Sequence, residues 1–371
     1  MKQENLPLIP TAPGLLHSLQ VLRFGTAGTG PKAFVQAAVH ADEVPGMLVA
    51  QQLKILLRDL EERGQLEGEV VLVPYANPLG LSQSLLGTQI GRFDLNDGIN
   101  FNRAYPDLSA SIADTLGPRL GHSLQENRLI IRQLLREAAF ALTAVRPSDD
   151  LKNRLLQLAI DADVVLDLHC DQESVMHVYA LTPQVEIAAE LGTLLGAKAL
   201  LLATHSGDNP FDEACSVPWS TLRELFPDHP IDLACFSATV ELRGLTDTSH
   251  ELARQDAQAL IEFLRRRGVI KGPCIDLPPP RFTPTPLAAC EPLVSPVAGV
   301  VVFIRQLGES LQAGDHVADL IDPGSGAIEP IHCQSAGLLF ARTDKRWARP
   351  GMRLGKVAGT QLQRTGKLLS P

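Results

Sequence analysis

The sequence predicts an α/β protein, with a mixed, mostly parallel twisted sheet, helices on both faces and a small all-β module after it. Three observations carry this. Short continuous apolar runs, such as Val70–Val73 and Val164–Leu166, have the composition of strands buried on both faces. Longer segments between them place apolar residues at the 3.6-residue helical period. Beyond a Pro-rich stretch at 273–287 that period fades into short Gly- and Val-rich runs.

In chain order, residues 20–39 read as two strand-like runs around a Gly-rich turn, the second being Phe34–Val39 and ending at His40. Leu48, Ala50, Leu53, Leu56 and Leu57 mark a helix that Gly64 and Gly68 close. The run Val70–Pro74 follows, completing a strand–helix–strand unit. Residues 87–107 form a loop rich in Gly, Asn and Asp, and 111–160 are mostly helical. Val164–His169 and Ala238–Leu242 are further buried strands, and 250–267 is a final helix. The expected division is a catalytic domain over 1–272, a linker over 273–287, where proline prevents a helix, and an all-β module over 288–371.

Composition excludes several roles. Hydrophobic residues make up 45% and charged residues 20% of the 371, so the chain is not disordered. A formal charge of -9 disfavours a phosphate backbone, so no nucleic-acid partner is expected. Apolar runs are too short for a membrane helix, and the first residues lack a signal-peptide pattern, so no membrane association is expected. The six cysteines form no C-x-x-C pair, which fits a reduced, cytoplasmic setting. Assembly into a homo-oligomer is left open.

Four segments could carry chemistry. His40-Ala41-Asp42-Glu43 lies where a strand gives way to a helix, and open α/β sheets bind ligands at such strand ends. His169 ends a second apolar strand. Two histidines and a glutamate form the ligand set of a hydrolytic zinc site, which keeps a position for water and lowers its pKa to about 7. Glu241, in Val240-Glu241-Leu242-Arg243, is a carboxylate at the end of a third strand. It is suited to general-base work, unless it simply pairs with Arg243. Asn102-Arg103 suits a substrate carboxylate, because a guanidinium offers two parallel donors, and Arg92 in the same loop could stabilise an oxyanion. His205, in the polar loop His205–Asp208, is a candidate pocket residue. Cys170 is read as a small core residue, because neighbouring strand residues face opposite sides.

The ordered set over 30–270, H-x-x-E, then N-R, then a strand-end His, then E-L-R on a strand, resembles the zinc carboxypeptidase superfamily. Within it the chain is most similar to the succinylglutamate desuccinylase/aspartoacylase family of deacylases. The resemblance implies one Zn²⁺ per chain on His40, Glu43 and His169, with Glu241 as general base. It implies Asn102 and Arg103 as the holders of the substrate carboxylate and Arg92 as the oxyanion arginine. The implied activity is hydrolysis of the amide bond of a small N-acyl amino acid by metal-activated water. One position departs: Asn100 stands where the family often has an aspartate that orients a zinc-bound histidine, and Asp42, Asp94 or Asp97 could substitute.

The segments Ser295–Val301 and Gly308–Asp315 resemble half of a lipoyl-like barrel-sandwich, and Gly337–Gly359 resembles the other half. Lys345 lies in Thr343-Asp344-Lys345-Arg346-Trp347, which lacks the Met-Lys-Met pattern of a biotin carrier. The module is therefore expected to be structural, shaping the mouth of the site or mediating assembly. Three other readings stay open: a metallocarboxypeptidase acting on peptides, a non-catalytic carboxylate-binding protein, and a carrier modified at Lys345.

Overall fold

A computed structural model describes residues 1–361 and 364–369. The chain begins with strands β1 (Lys2–Pro7), β2 (Ser18–Gly25) and β3 (Lys32–Ala37), helix α1 (Pro45–Glu62) and strand β4 (Glu69–Val73). Helix α2 (Pro78–Leu81) and a hairpin of β5 (Ser84–Leu85) and β6 (Thr88–Gln89) lead into the long loop. Then come α3 (Leu108–Leu116), α4 (Leu124–Ala141) and α5 (Pro147–Ala159), where 111–160 reads as helical. Asp107 and Ser123 cap α3 and α4 by accepting backbone N–H groups, and Pro147 opens α5.

Strands β7 (Val164–Asp171), β8 (Glu173–Ser174) and β9 (His177–Leu181) follow, then α6 (Val185–Leu194), β10 (Ala199–Ala203), α7 (Phe211–Leu225), β11 (Phe236–Gly244) and α8 (His250–Arg266). A nine-stranded sheet has the order β1-β2-β4-β3-β7-β11-β9-β10-β12, where β12 is Pro284–Pro286. The central neighbours β4, β3, β7 and β11 run parallel, whereas β1, β2 and β9 join antiparallel.

Alternation along the strands feeds two cores. Val35 and Leu166 face α1, α6 and α8 on one side, and Phe34 and Val165 face α3, α4, α5 and α7 on the other. Helices therefore cover both faces, and the central strands are mostly apolar, with Gln36 and Asp167 buried among them. Two details differ from the sequence reading. Strand β3 stops at Ala37 rather than Val39, because Ala38 turns with φ 58. The Pro-rich stretch ends in a short edge strand, β12, parallel to β10.

The remaining strands are β13 (Cys290–Val294), β14 (Gly299–Phe303), β15 (Ser310–Leu311), β16 (His316–Ile321), β17 (Ile328–His332), β18 (Gly337–Arg342), β19 (Trp347–Ala348) and β20 (Arg353–Gly359). They form the sheets β13-β20-β18-β15 and β17-β16-β14-β19 around a separate core. Strand β8 pairs antiparallel with β18, tying this module to the large sheet. Among the described residues no helix is long and apolar enough to cross a membrane.

Candidate active site and metal centre

Three neighbouring parallel strands bring the site together. The parallel register pairs Ala37 with Leu168, so the turn after β3 delivers His40 and Glu43 beside the end of β7. It also sets Glu241 of β11 opposite His169 of β7. A bulge between Glu241 and Gly244 then re-aims the strand. The Arg92 loop packs tightly on the His40 turn: Ala41 N–H donates to Gly91 C=O at 3.0 Å, and a Cβ at Gly91 would lie 2.2 Å from Asp42 N. Only glycine permits that approach.

His40, Glu43 and His169 are buried, and one ligand atom from each lies within 4.8 Å of the others. Glu43 Oε1 is 2.9 Å from His40 Nδ1, and Glu43 Oε2 is 2.7 Å from His169 Nδ1. Both Nε2 atoms point outward to acceptors, His40 to Asn100 Oδ1 at 2.9 Å and His169 to Asp167 Oδ2 at 3.0 Å. Asn100 itself thus fills the orienting position. Asp94 instead accepts from Asn96, Asp97 pairs with Arg146, and Asp42 lines the cavity.

Burial, reinforced by Arg92, lowers the His40 pKa to about 4, so this ring is neutral. Burial opposes charge on Glu43 and His169 as well. The His40 ring and the charged His169 beside it nonetheless hold Glu43 well below the usual range, and Asp167 and Glu43 hold His169 well above it. A cation would take the place of the His169 proton, since metal binding displaces protons from its ligands. With each Nε2–H donated outward, two Nδ1 lone pairs and a carboxylate face one point. That donor set, two imidazoles and one carboxylate, fits zinc.

Glu241 lies in the same cavity, and its buried Oε2 has no hydrogen-bond partner among the described residues. Burial, with Glu43 beside it, raises its pKa to about 8, against the pull of His169. Arg243 pairs with Asp256 rather than with Glu241. Arg92 Nη1 reaches His40 Nδ1 at 3.2 Å and Glu43 Oε1 at 3.3 Å. Arg103 also lines the cavity, with Nη1 donating to the Asn102 carbonyl at 2.7 Å. Asn102 lines the cavity as well; its Oδ1 accepts from Phe211 N–H at 2.9 Å, and its Nδ2 lies 3.1 Å from His169 Nε2. Its amide is thus engaged within the protein.

His205 is exposed and its neighbour Ser206 lines the cavity instead. Cys170 is buried at the cavity wall rather than in an apolar core. Its N–H donates to Glu43 Oε2 at 3.2 Å, and burial pushes its thiol well up, away from a nucleophilic thiolate. Sequence reasoning missed Asp167, which lies two residues before His169 and so on the same strand face; the period-2 rule could have found it. Gln36 Nε2 supports Asp167 at 2.9 Å. It missed Lys152 too, a buried lysine donating to the Arg103 carbonyl at 2.9 Å from a distant helix.

The cavity measures about 420 Å³. Its far wall comes from the β module, through Arg342–Lys345 and Arg353–Lys356. Lys345 faces this cavity and pairs with Asp344 at 3.1 Å.

A mixed sheet with helices on both faces, and a His–Glu–His cluster at its parallel strand ends, define a carboxypeptidase-like architecture with a site that could hold a metal. A family model described as the succinylglutamate desuccinylase/aspartoacylase catalytic domain matches residues 29–267. The chain belongs to that family of deacylases. It is similar to a crystal structure of a succinylglutamate desuccinylase/aspartoacylase family protein from Shewanella amazonensis SB2B, with 27% identity and TM-score 0.84 over 96% of this chain and 98% of that one. A second, from Shewanella frigidimarina NCIMB 400, shares the fold at 24% identity and TM-score 0.85, over 96% of this chain and 97% of that one. The product-bound ectoine utilization protein EutE (DoeB) from Ruegeria pomeroyi shares it at 16% identity and TM-score 0.67, over 97% and 95% of the two chains. No curated protein matches the sequence.

Proposed function

We propose that this protein is a zinc-dependent deacylase that hydrolyses the amide bond of a small N-acyl amino acid. The observation that carries the reading is one cavity holding the His40–Glu43–His169 cluster and the Glu241 carboxylate together. Zinc, about one ion per chain, would be held by His40 Nδ1, His169 Nδ1 and Glu43, and would supply Lewis acidity toward the amide carbonyl and its attacking water.

The chain's own groups do the rest. Glu241 takes the proton from the attacking water and returns it to the leaving amine. A raised pKa suits it to hold that proton between the two steps, and a nearby cation would favour its ionised form at the start. Arg92 donates to the oxygen that gains charge. Arg103 binds the amino-acid carboxylate and so orients the scissile bond. Asn102 serves mainly by holding the Phe211 turn, on the strength of its Oδ1 contact.

A cavity of about 420 Å³ with a wall from the β module favours a small substrate over a peptide. The reducing cytoplasm suits the six cysteines, all of which are unpaired.

The test is Glu241→Gln. Elemental analysis should find zinc retained at the wild-type level, while kcat on N-acyl amino acids falls by about 10²–10⁴-fold. Undiminished hydrolysis would reject Glu241 as the base. Absence of zinc from the wild type after zinc is supplied would reject the metal centre.

A further inference from the structure

His40, Glu43, His169, Glu241 and the two arginines gather at one part of the cavity. Tyr179, Leu201, Ala203, Leu287 and Leu369 belong to one hydrophobic cluster that also lines the cavity, with Arg353 and Lys356 beside them. Leu369 arrives from the extreme carboxyl end. We infer that Arg364–Leu369 is a strap that completes an apolar subsite, so that the enzyme prefers substrates carrying a hydrocarbon group there. This rests on the deacylase reading for the reacting group.

Several contacts seat the strap. Arg364 N–H donates to Ala288 C=O at 3.1 Å, and Leu368 N–H donates to Ser206 C=O at 2.7 Å. Lys367 Nζ pairs with Asp208 at 2.5 Å. Leu368 is buried in the same cluster. At Gly207, with φ +93, a Cβ would lie 3.0 Å from Lys367 Cα, so the strap lies flush on the loop. The loop itself is fixed from behind, since Asp208 and Asn209 carbonyls accept the Ala104 and Tyr105 N–H groups. Leu369 therefore stands on a braced base. An apolar wall gains by taking hydrocarbon from water.

The experiment is a pair of substrate series with the zinc-loaded full chain. One lengthens the acyl group on glycine from acetyl to hexanoyl. The other keeps acetyl and lengthens an unbranched side chain from alanine to norleucine. The series that occupies the subsite should gain about fourfold in kcat/KM per methylene. Whichever rises identifies the group, and two flat series overturn the inference. In Leu369→Trp the long-to-short ratio of kcat/KM should fall by about tenfold or more. Lys367→Glu, which sets two carboxylates together, should lower the same ratio and speed exchange of the Leu368 amide. An unchanged ratio in both variants overturns the strap, because a merely structural effect would scale every substrate alike.

Should no N-acyl amino acid be turned over, the deacylase reading fails by itself. Calorimetry of straight-chain monocarboxylates from acetate to octanoate then decides the subsite. Affinity that rises with length, and loses that rise in Leu369→Trp, supports it; affinity independent of length overturns it.

Discussion

At Asn100 a neutral amide stands where the sequence resemblance implies an aspartate. His40 Nε2 donates to Asn100 Oδ1, whereas His169 Nε2 faces the carboxylate of Asp167. A carboxylate raises the basicity of the imidazole it accepts from, so His40 is the weaker of the two proposed ligands. Asn100 Nδ2 has no acceptor among the described residues, so Asn100→Asp loses no hydrogen bond and keeps the acceptor for Asn102 N–H at 2.8 Å. We expect this variant to hold zinc about tenfold more tightly in chelator competition. Equal or weaker retention would show that burying the new charge outweighs the gain. At this scale much of the site was legible. His40, Glu43, His169 and Glu241 stand at the ends of apolar runs, where a charged or metal-binding side chain calls for explanation. Asn102 was not legible in full, because its partners His169 and Phe211 are 67 and 109 residues away.

Among the elements, β9 has a position that local sequence does not disclose. The apolar strands β3, β4, β7 and β11 were readable because each is buried on both faces. Register was not, since it is set by pairing between strands far apart in the chain. Strand β9 runs antiparallel to β11 and carries His177 into the joint with the β module. The ring makes edge contacts with Tyr179 and Phe340, and its Nδ1–H donates to Val175 C=O at 2.8 Å. Burial lowers its pKa to about 4, with Asp171 raising it and Lys356 lowering it more weakly. The unfolded chain would titrate near 6.5. Between those values the unfolded state binds a proton that the folded state refuses, so the neutral ring favours folding fully above pH 6.5 and loses that advantage as pH falls toward 4. The loss by pH 4.5 is about 2–3 kcal/mol. His177→Phe should shrink the wild-type drop in urea stability between pH 7 and 4.5 by about that amount. An identical drop in the two proteins would mean that carboxylates alone set the acid limit.

For the molecule as a whole, the question is whether the large sheet and the β module fold as one unit. Composition and the Pro-rich stretch suggest a separate β module, but its contacts with the large sheet were invisible in sequence. The joint is dense. Val175, Ala199 and Leu201 share a buried cluster with Cys290, Phe340, Ala341 and Ala358. Around it, Glu173 accepts from Arg342 and from Arg346 at 2.6 Å each, and Lys356 pairs with Asp171 at 2.5 Å. Thr343 Oγ1 donates to Gln172 Oε1 at 2.7 Å. Partly exposed ion pairs contribute little each, so the apolar cluster must carry the coupling. Two tryptophans report on the two parts: Trp219 is fully buried in α7, and Trp347 is half-exposed on β19. Single-tryptophan variants, Trp219→Phe and Trp347→Phe, should therefore unfold in urea with each remaining indole tracking the same transition as circular dichroism. Phe340→Ala, a fully buried ring at the joint, should cost about 3–5 kcal/mol. If the parts are coupled, that cost appears in the shared transition. If the module instead loosens on its own, the Trp347 signal moves to lower urea while Trp219 stays behind. The cavity wall formed by Arg342–Lys345 and Arg353–Lys356 would then part from the His–Glu–His cluster before the large sheet unfolds.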